Sequence, residues 1–211
     1  MLCGTRPRWV DCQPSARPRI YFANHTSHLD FLVLWASLPP EIRAHTRPVA
    51  ARDYWDRTWL RRYLARQVFR AVLVDRSSSH SHADRATEVR VARRAVDRAA
   101  RALAAGASLI IFPEGTRGSG PDVGPFKSGL YHLCQLRPDV ELVPVYLENL
   151  NRILPKGAAV PVPLEGFVTF GRPMRLAAGE DKSGFLTRAR AALIGVHCPC
   201  TSFSTAISRA S

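Results

Sequence analysis

Lysine is scarce in this chain. Only Lys127, Lys156 and Lys182 stand among the 30 basic residues, and thirty minus three leaves 27 arginines. Acidic residues number 17, so the formal charge is +13 and the surface seeks anions. Nucleic acid, anionic lipid headgroups, a phosphorylated cofactor and an acidic carrier protein all suit such a surface. Long apolar runs are missing too. The longest candidate, "LDFLVLWASL" (29–38), is far short of the roughly 18 residues a transmembrane helix needs. The five cysteines, Cys3, Cys12, Cys134, Cys198 and Cys200, are odd in number and mostly terminal, which is neither a C-x-x-C site nor a disulfide framework.

The start, "MLCGTRPRWVDCQPSARPRI", lacks the apolar core of a secretory signal, so a cytoplasmic protein is expected. Its Pro and Arg content reads as a flexible arm over 1–18, ahead of one domain over 19–196. Residues 197–211 show no periodicity and read as a poorly ordered tail. With 211 residues and 46% hydrophobic composition, the chain is long enough for one sizeable core.

Short apolar runs rich in Ile, Val and Phe recur at 19–23, 47–51, 71–75, 108–112, 141–146 and 166–170, and read as strands. Helical periodicity separates several of them. It is clearest over 82–105, where Val89, Ala92, Val96, Ala99 and Leu103 line one face and arginines fill the other, before Gly106 as a stop. Alternating strands and helices predict a single-domain α/β fold, with a mixed, mostly parallel sheet flanked by helices. In such folds sites collect at strand ends, which directs attention to the loops after "YFA", "VLV" and "IIF".

The first of these loops carries "NHTSHLD" (24–30). With Ser27 as helix N-cap, Asp30 falls at the third helical position, a capping-box spacing. The Asp30 carboxylate then reaches back over the turn that holds His25. A carboxylate on one ring nitrogen fixes the imidazole tautomer and leaves the other nitrogen to take a proton. A plain helix cap is the bland alternative, and His25, His28 and Asp30 as metal ligands is a third.

The loop after the 108–112 strand is "FPEGTRG" (112–118), in which glycines allow close backbone approach and Arg117 offers a fork for phosphate. Together with "NHTSHLD", "AVLVDR" (71–76), "VPVYLEN" (143–149) and "FKSGLYHL" (126–133), it resembles the glycerolipid acyltransferases, in particular the bacterial 1-acylglycerol-3-phosphate acyltransferases. The resemblance spans about residues 19 to 175. It implies acyl transfer from acyl-CoA or acyl carrier protein to the sn-2 hydroxyl of lysophosphatidate, giving phosphatidate in phospholipid biosynthesis. No metal, cofactor or covalent acyl-enzyme is implied. By this likeness His25 is the general base and Asp30 orients it. Glu114, Gly115, Thr116 and Arg117 bind the glycerol phosphate, with Arg76 and Arg52 as further contacts. The implied setting is peripheral, on the inner face of the cell membrane.

Another lysophospholipid or an amino-lipid also fits the acceptor role. Readings from other classes are a metal-dependent hydrolase and a basic nucleic-acid-binding protein. The latter rests on charge alone, and no nucleic acid is expected. One pattern stands apart from the site. In "DYWDRTWLRRYL" (53–64), Trp55, Trp59 and Tyr63 recur every four residues among Arg57, Arg61 and Arg62, which suits either core packing or a lipid interface.

Overall fold

A computed structural model of the chain describes residues 6–27, 30–75, 85–118, 122–148 and 166–197. Seven strands form its sheet: β1 (Arg6–Trp9), β2 (Arg19–Ala23), β3 (Thr46–Ala51), β4 (Val72–Val74), β5 (Ser108–Ile111), β6 (Glu141–Glu148) and β7 (Phe167–Phe170). Their order across the sheet is β1-β7-β6-β2-β5-β3-β4. Every neighbouring pair is parallel except β6 with β7. All six expected strands are present. The seventh, β1, falls inside the stretch expected to be a loose arm, where Arg6–Trp9 pairs with Phe167–Phe170. Its RPRW sequence has no apolar alternation to betray it; edge pairing and the stacking of Trp9 on Phe170, with centroids 3.9 Å apart, hold it instead.

Strand β2 is buried along its whole length, which explains why "RIYFA" reads as a continuous apolar run. Its side chains alternate between two cores. Ile20 and Phe22 face α5 (Arg85–Ala104), α6 (Gly129–Leu136) and α7 (Lys182–His197), packing with Leu103, Leu133 and Phe185. Tyr21 and Ala23 face α1 (Asp30–Ser37) and α2 (Pro40–Ala44), packing with Leu34 and Ile42. Each fully buried large side chain contributes roughly 1.5–3 kcal/mol, and β2 supplies three of them, Ile20, Tyr21 and Phe22.

A third cluster covers the excursion between β3 and β4. It comprises α3 (Arg52–Trp55), α4 (Trp59–Tyr63) and a π-helical turn at Leu64–Val68. Trp55, Ala65 and Phe69 point inward there and meet Phe31 and Trp35 of α1. Because β2, β3, β4 and β5 run in one direction, their C-terminal ends lie along one edge of the sheet. The chain after β2, after β3 and after β5 leaves from that edge. Among the described residues, no helix is long and apolar enough to cross a membrane.

Candidate active site

Asn24 ends β2 by clamping it to the neighbouring strand. Its side-chain amide donates to the Leu147 carbonyl at 3.0 Å, and its oxygen accepts from the Leu147 amide at 2.8 Å. The chain then turns, and Asp30 closes the turn from the start of α1. Its Oδ2 accepts from Thr26 N–H at 2.6 Å and Ser27 N–H at 2.8 Å, and lies 2.9 Å from His25 Nδ1. The carboxylate has no exposed surface. The spacing that signals a helix cap and the spacing that orients a base are thus satisfied by one oxygen. An oxygen already accepting two backbone amides takes the Nδ1 proton as its third donor, which leaves Nε2 bare and able to accept one. The His25 ring is held on its flat side by Phe112, stacked at 4.3 Å and 23°.

Glu114 joins this turn to the loop after β5. Its Oε1 accepts from the His25 amide at 2.8 Å and its Oε2 from the Gly124 amide at 2.9 Å. The side chain is buried, so it points at backbone and not at Arg117 on the surface. Gly118 N–H donates back to the His25 carbonyl at 2.9 Å, giving a second tie between the loops. Gly115 has φ +73°, and a Cβ there would lie 2.7 Å from Lys127 Nζ and Cε, so the lysine chain crosses over this glycine. Gly115, Thr116 and Arg117 form the exposed tip.

Arg52, at the C-terminal end of β3, has its Nε 2.9 Å from Asp75 Oδ1. Arg98 of α5 holds the other oxygen of Asp75 at 3.2 Å and donates to the Leu73 carbonyl at 3.0 Å. Arg76 and His28 lie outside the described residues. Among the described residues no three His, Cys, Asp or Glu side chains come together as a metal-binding group. Cys134 of α6 is buried in the core, and that burial pushes its thiol up to about 12, so the thiolate is scarce at neutral pH.

Sequence reasoning missed Phe112 as a ring partner, Gly124 and Lys127 as companions of the loop, and Arg98 beside Asp75. It also missed Arg190 of α7, whose Nη2 donates to the Val123 carbonyl at 2.6 Å, beside the Gly124 amide that Glu114 holds. Lys127 lies within "FKSGLYHL" and Gly124 two residues before it, so both were within reach of a motif argument. Arg190 had no local signal, because its partner is 67 residues away.

A family model described as Acyltransferase matches residues 10–148, which include the His25–Asp30 turn and the Glu114 loop. The chain belongs to the acyltransferase family. Among curated relatives, 1-acyl-sn-glycerol-3-phosphate acyltransferase alpha of Ovis aries is 28% identical over 172 residues, covering 72% of this chain and 52% of the relative. A chloroplastic 1-acyl-sn-glycerol-3-phosphate acyltransferase of Brassica napus is 40% identical over 53 residues, covering 25% of this chain and 15% of its own. The chain thus spans about half the length of the first relative and less of the second. The crystal structure of the 1-acyl-sn-glycerophosphate acyltransferase PlsC from Thermotoga maritima shares the fold. Its TM-score is 0.65 at 20% identity, with 94% of this chain and 74% of that chain covered. The acyltransferase family model therefore covers the part of the sheet whose C-terminal edge carries the described site.

Proposed function

We propose that this member of the acyltransferase family transfers an acyl group from a thioester to the sn-2 hydroxyl of 1-acylglycerol-3-phosphate, forming phosphatidate. The observation that carries the reading is the His25–Asp30 pair, 2.9 Å apart on a carboxylate with no exposed surface, at the end of the central strand. The curated relatives named for that acceptor support the substrate assignment.

In this reading His25 Nε2 removes the proton from the acceptor hydroxyl as its oxygen attacks the thioester carbonyl. An alcohol is a weak nucleophile at neutral pH, and a positioned base contributes about 10²–10⁴-fold. Asp30 stabilises the imidazolium that forms. Collapse of the tetrahedral intermediate breaks the carbon–sulfur bond, and the proton on Nε2 passes to the departing thiolate. Acyl-CoA and acyl carrier protein are both donors that deliver such a thioester. The acceptor phosphate sits at the Arg117 tip, where the Lys127 chain crosses Gly115, and Arg52 and Arg76 serve as further cations. Glu114 serves by bracing the two loops, since its oxygens accept amides of both. The reaction takes place at the inner face of the cell membrane, where the acceptor resides and where anionic lipid meets the +13 surface.

The test is transfer of a labelled acyl group to lysophosphatidate dispersed in detergent, with each donor in turn and with a chelator present. His25→Ala should lower the rate by about 10²–10⁴-fold with the fold retained. Wild-type turnover absent with both donors, or undiminished in His25→Ala, would sink the proposal.

A further inference from the structure

We propose that the outer face of α4 and the π-helical turn docks the protein on an anionic phospholipid bilayer. The aromatic stripe at four-residue spacing is divided by the fold. Trp55 is 9% exposed and packs on Phe31 and Phe69, so for this residue the core reading is right. Trp59 is 77% exposed, Tyr63 55% and Leu60 49%. Of the eight large hydrophobic side chains exposed among the described residues, four (Trp59, Leu60, Tyr63 and Val68) fall within these ten positions. A contiguous exposed apolar patch with a basic rim is a docking surface more often than an accident of folding.

The charge around this patch selects its partner. Between residues 53 and 70 there are five arginines (57, 61, 62, 66 and 70) against Asp53 and Asp56. Asp56 is shared by Arg62 at 3.6 Å and Arg66 at 3.5 Å, so one carboxylate faces two guanidinium groups. Arg61 lies over the Tyr54 ring at 4.5 Å. Trp59, Tyr63, Arg62, Arg66 and Gln67 line an open depression of about 250 Å³. Amphipathic rings on a basic helix are the composition that settles at the headgroup level of a bilayer, with Trp and Tyr below and Arg among the phosphates.

The position of the patch agrees with that partner. The excursion starts at Arg52, at the C-terminal edge of the sheet, and its inner side rests on α1, whose first residue is Asp30. A bilayer against the outer side is separated from α1, the helix that begins with Asp30, by this excursion alone. To this extent the inference deepens the proposed function, which needs an acceptor drawn from lipid. Binding itself involves no turnover, so the two readings can fail separately.

The full chain is sedimented with vesicles of phosphatidylcholine alone and of phosphatidylcholine mixed with phosphatidylglycerol, and tryptophan emission is recorded on the same samples. Binding and a blue shift are expected only with the anionic lipid. Trp59→Ala with Tyr63→Ala should weaken partitioning about tenfold or more and abolish the shift. Arg62→Gln with Arg66→Gln should weaken it by up to about 25-fold, at about 1 kcal/mol per arginine. Control variants elsewhere, Val89→Ala and Arg90→Gln with Arg93→Gln on α5, should bind as wild type. Equal losses in the controls would mean diffuse charge and overturn the proposal. So would wild-type binding in the α4 variants, or loss of binding to an acidic acyl carrier protein with vesicle binding intact. Acyl transfer in detergent should survive in the Trp59 and Tyr63 variants, which separates failed docking from a failed assignment of the reaction.

Discussion

Glycine 115 shows how much of the site rests on one missing methyl group. It takes a left-handed φ of +73°, and the Lys127 chain occupies the space a Cβ would fill. Gly115→Ala therefore meets a conformational cost of about 1–2 kcal/mol and must also displace the lysine from the loop tip. We expect a lowered melting temperature and a raised KM for the phosphate-bearing acceptor, read by calorimetry and steady-state kinetics on the same preparation. Asp30 is the complementary case. Its oxygen serves His25 and two backbone amides, so Asp30→Ala should cost stability as well as turnover, about 1–3 kcal/mol for each buried donor left unpaired. The sequence showed both residues because each satisfies a local rule, a capping box in one case and a tight loop in the other. Glu114 was read differently. Its motif marks it as important, but only the fold reveals that its oxygens are taken by the amides of His25, 89 residues away, and Gly124.

Helix α7 is the element whose role the sequence concealed. It contributes Phe185, Ala189 and Leu193 to the core, which explains its apolar positions, but Arg190 reaches past the core to the Val123 and Gly124 carbonyls. That contact steadies the segment whose Gly124 amide Glu114 holds, and Glu114 in turn holds the His25 amide. Arg190→Ala should lower kcat by between about ten- and a hundredfold through misplacement of the base, while leaving the thermal transition cooperative. Restoration by Arg190→Lys should be partial, since one ammonium replaces a fork that spans two carbonyls. The same helix is pinned by Arg188, whose Nε and Nη2 donate to Glu180 at 2.7 and 2.6 Å. Those hydrogen bonds hold the Glu180 carboxyl below its ordinary value of 4.5. A depressed carboxyl stabilises the fold above its ordinary value and ceases to do so as pH falls through the lowered one. Stability measured by urea unfolding should thus fall more steeply below about pH 5 in wild type than in Glu180→Gln.

At the scale of the molecule, the strand pattern was readable because a doubly covered parallel sheet writes itself as apolar runs between amphipathic helices. All six runs became strands. The seventh escaped because β1 is an edge strand of sequence RPRW held by pairing and one aromatic stack, neither of which leaves a periodic mark. The Trp59 stripe was ambiguous for a different reason: spacing fixes which side chains share a face, and burial decides what that face meets. Trp55 and Trp59 lie four residues apart and took opposite fates.

The ties that build the site also impose an order in time. His25 and Asp30 leave the ribosome early, yet the partners of their turn arrive after 89 residues at Glu114 and 123 at Leu147, and Arg190 is later still. A growing chain thus carries its base long before anything holds it. A fragment ending at residue 181 retains His25, Asp30 and Arg117 but lacks α7 and should show no acyl transfer. Supplying the missing helix as a peptide should return part of it. Synthesis itself then acts as a safeguard, with the reactive histidine assembled only when nearly the whole domain has been made.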